Sequence, residues 1–280
     1  MPKIKTFKKP SGNLHWYLLG FALLLVLLML GIWEHQTKYG DIKVKSPEEA
    51  YQSRPPYIGD LGGVPVTIPH YFISSFITYD GDPSFWKGQF HTRPAQSERT
   101  HSSKMNSLTV IAHYPDMIGR KTLVLDEEWY DNLDSPQSKW IDIMLTSGED
   151  YHKDGLQRLA EGKIEPSPYP YDGYTRMPDQ VIGGKKMEVY IALGKVPETG
   201  EPYRETKHDI FIDRDEKTKK VRNYIECSYR NVPMPPCLHY FELLPKMAAR
   251  ATVSYPRQML PEWQGIEAKS KALIYSFEQK

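Results

Sequence analysis

The sequence predicts a β-rich α+β protein with a single N-terminal transmembrane helix, a mostly antiparallel domain outside the cytoplasm and a C-terminal amphipathic helix packed on the sheet. Three observations lead to this class. An uncharged apolar run lies near the N-terminus, short runs of alternating apolar and polar residues recur through the rest of the chain, and the apolar spacing becomes helical near the C-terminus. Gly62-Gly63 and Gly183-Gly184 each precede a predicted strand, which suggests two similar halves.

The apolar run at residues 16–33, WYLLGFALLLVLLMLGIW, predicts a membrane anchor. Its eighteen residues cover roughly 27 Å as a helix, close to the thickness of the hydrocarbon core of a bilayer. Lysines precede the run, whereas Glu34 and His35 follow it, so residues 1–15 are predicted to be a cytoplasmic tail and the protein to be single-pass type II. A cleaved signal peptide is the alternative, but the run is longer than the apolar part of an ordinary signal and no small-residue cleavage site follows Gly31.

The composition argues against several classes of function. The formal net charge is +1, and the charged residues form neither a basic stripe nor an acidic tail, so no nucleic-acid partner is expected. The 19 tyrosines and 23 prolines favour a loop-rich antiparallel domain over a helical bundle. The sequence has no nucleophile elbow, no histidine pair at metal-binding helical spacing and no phosphate-binding glycine loop. These absences argue against an enzyme, and no metal or cofactor is expected.

The first part of the domain follows a polar tether. Residues 34–56 form this tether, with one helical turn expected near Pro47. Residues 57–165 form the first β-rich half. Within it, residues 127–139 are expected to be a loop because a DSP sequence interrupts them, and 152–162 a short helix. The strands of this half are expected within 63–79 and at 107–115, 121–126 and 140–147.

The second β-rich half is assigned to residues 166–280. Residues 165–178 contain four prolines and three tyrosines, so we expect no regular structure there and place the boundary between the halves in this segment. A meander is expected from strands at 185–196, 208–215, 221–229, 238–244 and 250–255. After Pro261, apolar residues recur at helical spacing and predict the amphipathic helix: Trp263, Ile266, Leu273, Ile274 and Phe277.

The two cysteines of the chain, Cys227 and Cys237, flank a proline-rich loop between two predicted strands. Outside the cytoplasm such a pair is most simply a disulfide, which would stabilise the fold by about 3 kcal/mol through the chain entropy of the loop. A zinc site that includes His239 is the alternative. Zinc in a structural site needs four ligands, and no fourth ligand is evident here.

Two segments carry candidate functional residues. Tyr169, Tyr171, Tyr174 and Arg176 lie on a loop stiffened by prolines, and tyrosine and arginine are typical of binding hot spots. We therefore predict a partner-binding surface at this loop, with a tyrosine-rich linker packed on its own domain as the alternative.

The pair Asp80 and Asp82 is a second candidate, because two carboxylates this close can hold a divalent metal. Membrane-anchored glycosyltransferases use such a pair for a nucleotide-sugar's metal. The Asp-Gly and Asp-Pro sequences at this site are also common turn formers, and a turn is the interpretation we favour.

Three short signatures together resemble the membrane-anchored periplasmic immunity proteins of type VI secretion effectors. The resemblance rests on residues 61–66 (LGGVPV) leading to 79–83 (YDGDP), on Cys227 and Cys237 with His239, and on residues 260–263 (LPEW). It implies a protein of the bacterial inner membrane whose periplasmic domain binds and blocks a toxin, such as a phospholipase or another envelope hydrolase, encoded by a neighbouring gene. Lipid-anchored members of this group carry a lipidated cysteine where this chain has residues 16–33, so the mode of attachment differs.

Two other functions compete with this hypothesis. The first is a structural accessory of an envelope complex, which would use the same anchor and the same domain. The second is an anchored hydrolase or glycosyltransferase that uses Asp80 and Asp82. The immunity hypothesis predicts a toxin gene next to this one, whereas the enzyme hypothesis predicts that Asp82→Ala abolishes activity without unfolding the protein.

Overall fold

The computed structural model describes Met29 and residues 46–75, 77–82, 98–133, 135–166 and 173–279. The chain divides into two compact units, residues 1–49 and 50–280.

A short helix, α1 (Pro47–Gln52), begins at a reciprocal cap. The backbone N–H of Glu49 donates to Ser46 Oγ over 3.2 Å, and the backbone N–H of Ser46 donates to Glu49 Oε2 over 2.9 Å. This capping box satisfies two N–H groups that the helix itself leaves without partners. The helical turn expected near Pro47 is therefore confirmed.

Except for Met29, the predicted membrane anchor at residues 16–33 lies outside the described residues, as do the tail 1–15 and tether residues 34–45. In the part of the chain that the structure describes, no helix has the length and apolar character needed to cross a bilayer. The anchor and its orientation stay predictions.

The domain of residues 50–280 is built on a single antiparallel sheet. Among the described residues this sheet has nine strands, and a separate two-stranded hairpin precedes it. The strands are β1 (Tyr57–Leu61), β2 (Val64–Ile68), β3 (Thr78–Tyr79), β4 (Met105–His113), β5 (Trp140–Thr146), β6 (Thr175–Ile182), β7 (Lys185–Ile191), β8 (His208–Arg214), β9 (Val221–Ser228), β10 (Pro236–Glu242) and β11 (Arg250–Pro256). β1 pairs with β2, and the large sheet has the order β3-β4-β5-β11-β10-β9-β8-β7-β6.

Strands β6 to β11 are neighbours in the order of the chain, so the predicted meander is confirmed. Strands from both predicted halves join the same sheet, because β5 pairs with β11. The suggested duplication of the halves stays a prediction.

The main core lies between one face of the sheet and the C-terminal helix. Among the described residues, the α-helices that follow α1 are α2 (Leu123–Asp131), α3 (Gly155–Ile164), α4 (Tyr203–Thr206) and α5 (Trp263–Ser276). All five apolar residues predicted for the C-terminal helix are buried, and they pack in one cluster with the inward side chains of the sheet and of β1 and β2. The amphipathic helix on the sheet is therefore confirmed. On the other face, Leu156 and Ala160 of α3 pack against Ile210, Ile212 and Tyr224.

Each of the two glycine pairs forms the two-residue turn of a β-hairpin. Gly62 and Gly63 have φ of 61° and 90°, and Gly183 and Gly184 have φ of 59° and 83°. Residues that carry a side chain rarely adopt positive φ angles of this size, whereas glycine does so readily. These angles suit the hairpin turns whose twist matches that of the strands. A Cβ on Gly183 would also lie 2.6 Å from the carbonyl oxygen of Pro261, so this turn packs directly against the start of α5.

The region between β4 and β5 corrects the sequence analysis. Residues 121–126 were expected to be a strand and 127–139 a loop, but α2 covers Leu123–Asp131. Thr122 is the cause, because its hydroxyl oxygen accepts a hydrogen bond from the backbone N–H of Leu125 over 3.2 Å and caps the helix. A short apolar run does not by itself distinguish a strand from a helix, and here the cap decides.

Two further boundaries differ from the prediction. Helix α3 continues two residues past Gly162 and ends at Ile164. Strand β6 begins at Thr175, inside the segment expected to have no regular structure. It tolerates Pro178 because it is an edge strand, and its register shifts between Met177 and Gln180 around the proline.

Candidate functional site

The structure places only part of the predicted tyrosine-rich loop. Tyr169 and Tyr171 lie outside the described residues. Tyr174 is half-buried against the cluster under α3, with the Lys207 ammonium 5.7 Å from the centre of its ring. Arg176 pairs with Asp179 in the same strand. These contacts hold Tyr174 and Arg176 at the start of the edge strand β6, and the partner-binding role of the loop stays a prediction.

Asp80 and Asp82 do not meet at a common site. The Asp82 carboxylate is almost fully buried, is paired with Arg99, and accepts a hydrogen bond from the backbone N–H of Tyr79 over 3.1 Å. Asp80 Oδ1 instead faces Gly148, on which a Cβ would lie 2.8 Å away. No three His, Cys, Asp or Glu side chains among the described residues are grouped to hold a metal ion. This geometry favours the turn interpretation of the Asp80-Gly81-Asp82 segment.

Cys227 and Cys237 lie directly opposite each other on β9 and β10 and are joined by a disulfide. The predicted pairing is confirmed. His239 is fully buried, and its Nε2 lies 2.9 Å from Asn223 Oδ1. With both sulfurs oxidised and His239 committed to the core, the structure gives no support to the zinc alternative.

A buried ion-pair network holds the base of the loop that the disulfide closes, residues 228–236, here called the disulfide loop. Arg204 binds both carboxylate oxygens of Asp209, at 2.8 and 2.9 Å, and Arg257 binds one of them at 2.5 Å. Burial opposes ionisation of Asp209, but these hydrogen bonds outweigh it and lower the pKa of the carboxyl. Arg257 also donates to the carbonyl oxygen of Ser228 over 2.9 Å, and its backbone N–H donates to that of Pro235 over 2.8 Å. The loop is thus held at both ends.

Helix α2 presents an apolar surface to solvent. Its sequence, LVLDEEWYD, has five apolar or aromatic residues and four acidic ones, and none of its residues is buried. Val124 and Tyr130 are 72% and 69% exposed, and Leu133, just after the helix, is 44% exposed. We call these three residues the α2 surface. Val124 and Tyr130 are six positions apart, about 120° around the helix axis, so exposed apolar side chains lie on more than one side of α2.

A small cavity of about 80 Å³ separates α2 from the disulfide loop. Two of its wall residues, Trp140 and Tyr255, are 8% and 2% exposed. In the described part of the chain, the Trp140 Nε1 atom has no hydrogen-bond partner. The Tyr255 ring lies in the core on the other face of the sheet, 6.2 Å from the His239 ring, so its hydroxyl does not face the cavity. The cavity is large enough for the end of one side chain, since a water molecule needs only about 10–15 Å³ measured in this way. Its other walls include Trp129, Leu133, Asp142, Met234, Pro236 and Pro256.

Sequence reasoning identified the cysteines of this site but missed α2. The signal was present in residues 123–133, where Trp129 and Tyr130 accompany four aliphatic side chains. The sequence predicts a strand at 121–126 and a loop at 127–139, so an exposed helix across this run was not expected.

No protein-family model and no curated protein sequence matches the chain. Among solved structures, the chain is similar to an immunity protein of the Stenotrophomonas maltophilia type IV secretion system, with a TM-score of 0.48 and 16% sequence identity over 81% of this chain and 94% of that one. It is also similar to the iron-regulated outer membrane lipoprotein FrpD of Neisseria meningitidis, with a TM-score of 0.39 and 11% identity over 84% of this chain and 98% of that one. Both TM-scores are low, so we infer the function from the geometry of the site.

Proposed function

We propose that this protein is an immunity protein that binds a secreted toxin and blocks it without any chemical step. The observation that carries the proposal is the α2 surface beside the cavity and the disulfide loop. It combines exposed apolar side chains, a cavity bordered by the Trp140 indole, whose buried N–H lacks a partner among the described residues, and a rigid frame. Apolar anchors around a small pocket are the usual core of a tight protein interface.

The physical mechanism is steric. The sheet, the disulfide and the Asp209 ion pairs hold the disulfide loop, so little conformational entropy is lost when a partner binds. Tyr130 and Leu133 contact the partner's surface, while one partner side chain enters the cavity and pairs with Trp140 Nε1. Pairing removes the free-energy cost of leaving that N–H group unsatisfied.

The kind of partner follows from the sequence resemblance. We propose a toxin delivered by a type VI secretion system and encoded by a neighbouring gene, with an activity against the envelope such as that of a phospholipase. The domain would lie in the periplasm, anchored in the inner membrane by residues 16–33 with the N-terminus in the cytoplasm. The anchor raises the local concentration of the inhibitor where the toxin arrives.

The test is a rescue experiment in cells that export the product of the neighbouring gene to the periplasm. Expression of the full chain should restore growth, and the purified full chain should inhibit the toxin at a ratio of about one to one. If growth is not restored and the two proteins do not bind each other, the immunity function is wrong. In that case a structural role in an envelope complex becomes the better hypothesis.

A further inference from the structure

A cleft of about 350 Å³ on the domain brings together three basic side chains from separate segments. Arg54 follows α1, His70 lies in the single turn His70–Phe72 after β2, and Arg120 precedes α2. Asp126 is the acidic residue that lines the same cleft.

Arg120 is held by three contacts, yet one of its N–H groups has no hydrogen-bond acceptor among the described residues. Its Nη1 donates to Asp126 Oδ1 and its Nη2 to the carbonyl oxygen of Ile73, both over 2.7 Å. The guanidinium carbon lies 4.4 Å from the centre of the Trp129 ring. The Nε atom is buried and has no hydrogen-bond partner within the described residues. A fixed N–H donor without an acceptor is costly, and an incoming acceptor would remove that cost.

His70 provides a second buried polar atom without a hydrogen-bond partner in the described part of the chain. Its ring packs edge-on against Tyr51 and Tyr71, at 5.0 and 5.4 Å between ring centres. The imidazole makes a hydrogen bond to the backbone of Arg54, whereas its Nε2 is buried and lacks a partner in the described part of the chain. The Arg54 guanidinium is exposed and lies over the Tyr51 ring at 5.0 Å, beside the same cleft.

We propose that this cleft binds an oxyanion, a phosphate or carboxylate group, between Arg54, His70 and Arg120. The two positive charges of the guanidinium groups exceed the one negative charge of the Asp126 carboxylate, which is already bonded to Arg120. The fixed guanidinium of Arg120 attracts the anion by its charge, and the exposed guanidinium of Arg54 supplies a charge-assisted hydrogen bond. This site goes beyond the proposed immunity function and does not depend on it.

His70 reports on occupancy of the cleft. Burial lowers its pKa, and the charges of Arg54 and Arg120 lower it further. An anion between the guanidinium groups offsets that repulsion, so it raises the pKa of His70 and binds more tightly as the pH falls. Besides these two arginines, Asp126 is the charged group that lines the cleft, and its carboxylate stays paired with Arg120.

The experiment is an NMR titration of the histidine rings in the full-length chain, purified in a neutral detergent. Inorganic phosphate and acetate are the probes, and sodium chloride of equal ionic strength controls for screening. The His70→Gln variant identifies the His70 resonance, and the exposed His152 is an internal control. We expect phosphate to raise the pKa of His70 by about 1, equivalent to about tenfold tighter binding to the protonated form.

Matched variants separate a site from general electrostatics. Arg54→Ala should abolish the response of His70, whereas Arg158→Ala, which removes an exposed arginine on α3, should leave it unchanged. A response to phosphate alone identifies a phosphate-bearing ligand, and an equal response to acetate identifies the wider oxyanion class. If chloride acts as strongly as both probes, if neither probe moves His70, or if Arg54→Ala responds like the unaltered protein, the proposal is wrong.

Discussion

His239 shows how completely one titratable side chain can be committed to the core. It is fully buried, it lies against the ring of Trp263, and burial lowers its pKa to about 3. In the unfolded chain the same group titrates near its ordinary pKa of about 6.5. Between these values the unfolded state binds a proton that the folded state does not, so stability is lost as the pH falls through this window.

We therefore predict that lowering the pH from 7.5 to 5 destabilises the protein by about 2 kcal/mol through His239 alone. The measurement is denaturant unfolding at a series of pH values. The His239→Gln variant should be less stable at pH 7.5, yet its stability should fall less between pH 7.5 and 5. If the variant and the unaltered protein show the same pH dependence, His239 is not the group responsible.

Trp263 carries the largest packing contribution that a single residue of α5 can make. It is 1% exposed, and its indole N–H donates to the carbonyl oxygen of Ile182 over 3.0 Å. Trp263→Ala should cost about 3–5 kcal/mol in the free energy of unfolding. Val181→Ala, which shortens a 72% exposed side chain in the neighbouring strand, should change stability by less than about 0.5 kcal/mol. A loss below about 1 kcal/mol for Trp263→Ala would contradict this packing.

For single residues, the sequence predicts those positions that residue spacing alone determines. The paired cysteines and Trp263 could be predicted because spacing and helical period locate them. The cleft residues Arg54, His70 and Arg120 could not, because they come from three segments that only the tertiary fold brings together.

At the scale of elements, α2 depends on its cap rather than on burial. Thr122 is its N-cap, and none of its residues is buried, although Arg120 contacts Asp126 and Trp129 of the helix. Thr122→Ala should cost about 1 kcal/mol and should increase hydrogen exchange within α2. Thr122→Ser keeps the capping oxygen and should behave like the unaltered protein. Unchanged exchange in Thr122→Ala would mean that α2 is stabilised by something other than this cap.

The disulfide loop is the second element on which the site depends. Replacement of both cysteines by alanine should cost about 3 kcal/mol, because the unfolded chain regains the entropy of a loop of this length. It should also weaken toxin binding, since Met234 and Pro236 of the loop and β10 line the cavity. Non-reducing peptide mapping and thermal unfolding check the first part, and equal stability with and without the bond would contradict it.

The alternating strands were predictable because each has one face on a core, whereas α2 and β6 were not. Strand β6 is an edge strand with no buried residue, so its sequence lacks the alternation that identifies the inner strands. The apolar residues of α2 lie in a helix that faces solvent, a position in which hydrophobic pattern says little about secondary structure.

For the whole molecule, the sheet is a platform that places α2, the cavity and the disulfide loop on one surface. The predicted membrane anchor at residues 16–33 would affect where this surface works, not how it binds. A version of the chain with a cleavable export signal in place of residues 1–33 should therefore still protect cells, at a higher expression level than the anchored form needs. A complete loss of protection from this folded, exported version would show that the anchor takes part in the mechanism itself.

The central claim is that the α2 surface binds a toxin, and calorimetry with the product of the neighbouring gene tests it most directly. Tyr130→Ala in the full chain should weaken binding about thirtyfold, equivalent to about 2 kcal/mol, the loss typical of an aromatic hot spot. Val181→Ala and Arg176→Ala, both at the β6 edge, should leave the affinity within about twofold. If Tyr130→Ala binds as tightly as the unaltered protein while the β6 variants bind weakly, the interface lies at the tyrosine-rich loop and the claim for α2 is wrong.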